Sequence, residues 1–83
     1  QYDLAIQEYQ QALQADPPAT DKSDIWVNIA TACRDKGDFD AMIQAAQNAI
    51  QFNPKNDKAA EALKIAQESK AEKKLKQDVA DAS

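Results

Sequence analysis

Between Ser23 and Asn56 the apolar positions fall into two helical stripes separated by a break. Ile25, Trp26, Ile29, Ala30 and Cys33 recur at the spacing of one helix face, with Asp24, Asn28, Thr31 and Asp35 away from its centre, so the pattern predicts a helix from about Asp24 to Lys36. The break is Gly37, the one glycine in the chain. A glycine there is suited to the positive φ that ends a helix, and Asp38 after it offers a side-chain oxygen to cap the next one. Phe39, Met42, Ile43, Ala46, Ala49 and Ile50 form the second stripe, and Asn53-Pro54 closes it because proline disfavours helical geometry in the residue before it. The unit predicted is a helical hairpin.

Displacing the chain by 37 residues brings Tyr2 onto Phe39, Asp3 onto Asp40, Ile6 onto Ile43, Ala12 onto Ala49, Leu13 onto Ile50 and Pro17 onto Pro54. The first helix thus repeats the second half of the hairpin, and equivalent faces can stack in equivalent ways. QYDLAIQEYQQALQADP resembles the second helix of a tetratricopeptide repeat, and residues 23–56 are similar to one whole repeat, carried by Trp26, Ile29, Ala30, Gly37, Phe39, Ala49 and Pro54. Ile29-Ala30 stands for the family's Leu-Gly pair, Cys33 for its tyrosine, and Met42 and Ala46 for an alanine and an aromatic of its second helix. The family's period is about 34 residues, so three extra residues are expected as a loop within Pro17 to Lys22.

The fold this resemblance implies is all-α, with antiparallel helical hairpins stacked as a short right-handed α-solenoid. Its expected parts are the second helix of an incomplete repeat (1–18), a loop insertion (19–22), the complete hairpin (23–56), a C-terminal capping and extended helix (57–77) and a disordered tail (78–83). Tyr2, Ile6, Tyr9, Leu13, Trp26, Ile29, Phe39, Ile43, Ile50 and Leu63 are the expected core, and removing Trp26 or Phe39 is expected to cost about 3–5 kcal/mol. Ser23 or Asp21 is a candidate cap for the hairpin's first helix, and Asn56 or Asp57 for the third. In that third helix Ala59, Ala60, Leu63, Ala66 and Ile65 are expected to face the hairpin. From Ser69 charges dominate, and Ala71, Leu75 and Val79 form a thinner, rotated stripe, as in a helix leaving the body of the domain. Because the chain opens in mid-repeat, the flank of Tyr2, Ile6, Tyr9 and Leu13 is expected to be covered by a preceding helix of a longer parent or by a second copy.

Hydrophobic residues make up 43% of the 83 but aromatics only 6%, which suits close helix packing through alanine. A net charge of −4 argues against nonspecific nucleic-acid or anionic-membrane binding, either of which calls for a basic surface. Cys33 is the single cysteine and there is no histidine, so the usual zinc constellations and internal disulfides are absent and no cofactor is implied. Its place on the apolar stripe makes it a small core residue, compatible with the cytoplasm or another reducing compartment. No apolar run has the length to span a bilayer. Without histidine, a phosphate-binding glycine loop or an activating partner for Cys33, the sequence gives no grounds for an enzyme; Asp38 and Asp40 read as helix-start residues.

The function implied by the resemblance is protein–protein interaction, a peptide or partner helix lying in a concave groove lined by first helices. The candidate positions are Asp24, Val27, Asn28, Thr31 and Arg34, with Lys58, Glu61, Ala62 and Ile65 from the third helix. The family's carboxylate clamp would use Asn28 and Lys58, but Ala62 stands where it needs arginine. The alternative is a structural subunit that associates, or self-associates, through the open first helix and the C-terminal helix.

Overall fold

The structure, a computed structural model, describes the backbone of residues 1–82 and the side chains of residues 1–76. Four helices follow one another: α1 (Tyr2–Gln14), α2 (Ala19–Lys36), α3 (Phe39–Phe52) and α4 (Asp57–Ala82). No strand occurs among the described residues. Each helix packs on the next, and α4 also reaches back to α2. The layout is all-α and built of sequence-adjacent hairpins. It measures 50 × 28 × 12 Å, elongated because the 26 residues of α4 run about 39 Å at 1.5 Å per residue, well beyond the hairpin they cover.

The hairpin turns as the sequence predicts. Gly37 has φ 87°, its N–H donates to the Arg34 carbonyl at 3.0 Å, and the Asp38 N–H donates to the Cys33 carbonyl at 2.9 Å, the paired bonds of a Schellman ending. Asp38 Oδ1 then accepts from the Ala41 N–H at 3.1 Å, capping α3. Two helix ends are satisfied within three residues. At the other end of α3, Asn56 caps α4 by accepting from the Lys58 N–H at 3.1 Å.

Between α1 and α2 the structure differs from expectation. Residues 19–22 are the first turn of α2, its start marked by the Lys22 N–H donating to the Pro18 carbonyl at 2.9 Å. The three residues beyond the family period are therefore taken up as nearly one helical turn, so neither Ser23 nor Asp21 is a cap. Proline at position 18 cannot lie inside a helix, yet it can precede one, and Asp21 favours the first turn through the helix dipole. The extra turn lets Lys22 pair with Asp16 and lie 5.4 Å from the Phe52 ring. α1 itself stops at Gln14, short of residue 18, and the chain reverses through Asp16 at φ 55°.

The core is made of small residues. Ile29, Ala30, Cys33, Met42, Ala45, Ala46, Ala62 and Ala66 are its buried cluster, with Ala32, Ala49 and Ala59 also buried. Of the expected core only Ile29 is fully enclosed; Ile6, Tyr9, Leu13, Trp26, Phe39, Ile43, Ile50 and Leu63 are half-buried around it. Tyr2 is 49% exposed and is not core, and Ala60 faces solvent where Ala62 was needed. The reason is geometric: alanine lets two helix backbones approach closely, so the larger side chains are displaced to the seam edges, where they cover rather than fill.

Among the described residues one polar side chain is fully buried. Ser23 Oγ donates to the Ala49 carbonyl at 2.7 Å and accepts from Asn56 Nδ2 at 2.9 Å, while Asn56 Nδ2 also meets Asp24 Oδ1 at 3.1 Å. This knot ties the start of α2 to the end of α3 and the cap of α4. In α4 the backbone continues helical to Ala82, through most of the span expected to be a disordered tail, with no proline or glycine to interrupt it. The side chain of Val79, and Ser83 altogether, lie outside the described residues.

Candidate functional site

α2 and α4 cross the same side of α3, and side chains that lie on separate turns of each come together there. Val27, Thr31 and Arg34 lie three or four residues apart on one stripe of α2; Lys58, Glu61, Ala62 and Ile65 do the same on α4. These seven, with Met42 of α3 beneath, line a shallow recess of ≈ 240 Å³. The floor is apolar, and Arg34, Lys58 and Glu61 stand round it without ion-pair partners among the described residues. Thr31 Oγ1 donates to the Val27 carbonyl at 3.1 Å, leaving its oxygen lone pairs for an incoming donor. Such a recess can seat an apolar side chain and offer charge-assisted hydrogen bonds to carbonyls or carboxylates beside it.

Two residues named from sequence stand outside it. Asp24 is exposed at the start of α2, occupied by the Asn56 amide, and Asn28 is exposed one position round the helix from Val27. Neither lines the recess. Met42 was overlooked because its spacing reads as core alone; it is core, and its 2% of exposed surface contributes to the floor.

Elsewhere the chemistry is sparse. Cys33 is buried, and desolvation raises its thiol pKa above the ordinary value, with Asp38 adding to the rise, so the thiolate a nucleophile needs is disfavoured. Among the described residues no cluster of Cys, Asp and Glu side chains could hold a metal ion, and no helix is long and apolar enough to cross a membrane. A second depression of ≈ 390 Å³ opens between α1 and α3, with Trp26, Ile29 and Cys33 of α2 in it.

The hairpin, its glycine turn and its neighbouring helices define an all-α helical-repeat protein. Residues 23–56 match the family model of the tetratricopeptide repeat, with the boundaries that the glycine and proline signals predict. The matched segment lies within a four-helix fold, α2 beginning a turn before it. No curated protein matches the chain. A repeat of this family implies a protein-interaction role and is typically non-catalytic.

Proposed function

We propose that this chain is a non-catalytic interaction scaffold that takes a peptide or helix of a partner protein into the recess between α2 and α4. The observation that supports it is the convergence of Val27, Thr31, Arg34, Lys58, Glu61, Ala62 and Ile65, from two helices, on one open recess. Apolar floor and unpaired charges at the rim are what a selective contact requires: burial supplies affinity, and the charges set which sequence is accepted. A carboxylate clamp is a poorer reading, since Asn28 lies outside the recess lining and Ala62 supplies no cation.

The test is capture from the source cell extract with the chain and with an Arg34→Glu/Lys58→Glu variant, both changes at exposed positions outside the buried cluster. Bound proteins are quantified by mass spectrometry after circular dichroism has shown equal helix content. The main partner is expected to be lost with the double variant. Its retention at unchanged yield would remove the recess from the function.

A further inference from the structure

α1 and α3 both pack on α2, yet they do not pack on each other: no Cα of one comes within 8 Å of a Cα of the other. Packed helices have axes about 8–10 Å apart and bring their Cα atoms closer than that, so the space between these two is a trough whose walls and floor are the chain's own helices. The depression of ≈ 390 Å³ between them shares Trp26 and Asn48 with another of ≈ 450 Å³ toward the end of α3. Together they follow α3 from Ala41 to Phe52, about 16–17 Å at 1.5 Å per residue, the span of about five residues of extended chain. The floor is Trp26, Ile29 and Cys33 of α2. At the wider end Phe52 is 39% exposed, with Leu13 and Trp26 half-buried beside it.

The uncharged polar groups on the walls are of one kind. Gln10 on α1 and Gln44, Asn48 and Gln51 on α3 are carboxamides, and none of the four side chains makes a hydrogen bond to another described residue. The charged lining residues are engaged within the chain, Lys36 with Asp3, Lys22 with Asp16, and Asp38 with the Ala41 N–H. The recess between α2 and α4 is the opposite case, its Arg34, Lys58 and Glu61 having no ion-pair partners among the described residues. A carboxamide offers both donors and an acceptor, the complement of a peptide unit. From Gln44 to Asn48 α3 rises about 6 Å, close to the roughly 6.7 Å over which an extended chain repeats every two residues, and Gln51 continues the row. A helical ligand would leave such a row without work, because its backbone groups are paired internally.

We propose that this trough holds an uncharged, extended peptide segment of a partner protein, its backbone met by the carboxamides of α3 and Gln10 and its alternate, apolar side chains turned to the floor. A large apolar side chain of that segment occupies the wider end, between Leu13, Trp26 and Phe52. Neutrality follows from charge: a charged residue placed there would lose its water without gaining a free partner. The site shares no residue with the recess between α2 and α4, and neither needs the other to be filled.

The test begins with a displayed library of random peptides, about seven residues long, selected against the immobilised chain. Selected peptides are synthesised with both ends blocked and titrated, with Trp26, the one tryptophan, reporting by fluorescence. They are expected to lack charges and to place apolar residues at alternate positions. Methylating their backbone nitrogens one at a time should weaken binding about tenfold at alternate positions. Gln44→Ala/Gln51→Ala, at two exposed positions and first shown by circular dichroism to keep its helix content, should weaken it by a similar factor. The Arg34→Glu/Lys58→Glu variant should bind the same peptides unchanged, which separates a failure here from a failure of the recess. Selection of charged or helical peptides overturns the proposal, as does a library that yields no peptide able to shift Trp26 emission. Binding that survives both the methylations and the carboxamide variant overturns it too, leaving an apolar contact without backbone recognition.

Discussion

Ser23 is the position where a one-atom change tests the architecture most directly. Its hydroxyl is enclosed by three helices, donating to the Ala49 carbonyl at 2.7 Å and accepting from Asn56 Nδ2 at 2.9 Å. Ser23→Ala removes both bonds, each contributing about 0.5–1.5 kcal/mol net. Neither partner is left bare: the Ala49 carbonyl still accepts from the Asn53 N–H at 3.0 Å, and the Asn56 amide still reaches Asp24 Oδ1 at 3.1 Å. The penalty for an orphaned buried group therefore does not apply, and the expected loss is about 1.5 kcal/mol, with Tm falling by roughly 4–8 °C per kcal/mol in a domain of this size. Asn56→Ala also loses the bond that caps α4 at Lys58 and should cost about 2–3 kcal/mol. Urea melts followed by Trp26 fluorescence and by far-ultraviolet circular dichroism measure both, and the double variant gives the coupling, expected near 1 kcal/mol. A Ser23→Ala chain within about 0.3 kcal/mol of wild type, or costs that simply add, would refute the idea that this hydroxyl joins the helices.

Gly37→Ala should cost about 1–2 kcal/mol although a methyl group there would touch nothing within 4 Å, because the whole cost is the φ of 87°; Gly37→Asn should lose less, and equal losses in urea melts would contradict a backbone origin. Met42→Ala, in a side chain 2% exposed, is expected to lose about 2–5 kcal/mol, more than Trp26→Ala, whose ring is only half-buried; the reverse order in matched melts would mean that the aromatic seam, not the alanine core, carries the stability. Lys36 donates to Asp3 Oδ1 at 2.6 Å and holds that carboxyl below its usual pKa of 3.8, as Lys22 does for Asp16. A lowered folded pKa gives stability that is present above the unfolded value and is lost as pH falls through the folded one, so acid below about pH 3.8 should loosen α1 first. Asp3→Asn should flatten that acid limb in hydrogen-exchange protection of α1; an unchanged limb would show that the pair does not hold the helix.

Local signals carried much of the fold. The spacing of apolar residues placed α3, the body of α2 and the start of α4, because a helix that buries one side must repeat its apolar positions every three to four residues. Gly37, Asp38 and Asn56 were legible for a related reason: a left-handed ending and a side-chain cap are demands of the backbone within a few residues, met by few residue types. The composition pointed toward alanine packing. It could not say which alanines.

What the sequence missed depends on neighbours distant in the chain. Ser23 looks like a helix cap between Lys22 and Asp24, and only the arrival of Ala49 and Asn56, 26 and 33 residues away, makes it a buried junction. The extra residues before it look like a loop, and in the fold they are the first turn of α2, which places Lys22 beside Asp16 and the Phe52 ring. The same held for the candidate site: seven of its named positions gather round one recess, while Asp24 and Asn28, on adjoining turns, fall outside, since 100° per residue separates lining from edge only once the crossing of α2 and α4 is fixed. By itself the sequence determined the bodies of the helices, the turn at Gly37 and a cap at Asn56 or Asp57, all local properties of the backbone. Tertiary structure decided which small residues lie at the closest approach and which large ones are left at the rim, because the distance between two helices is set by side chains from both.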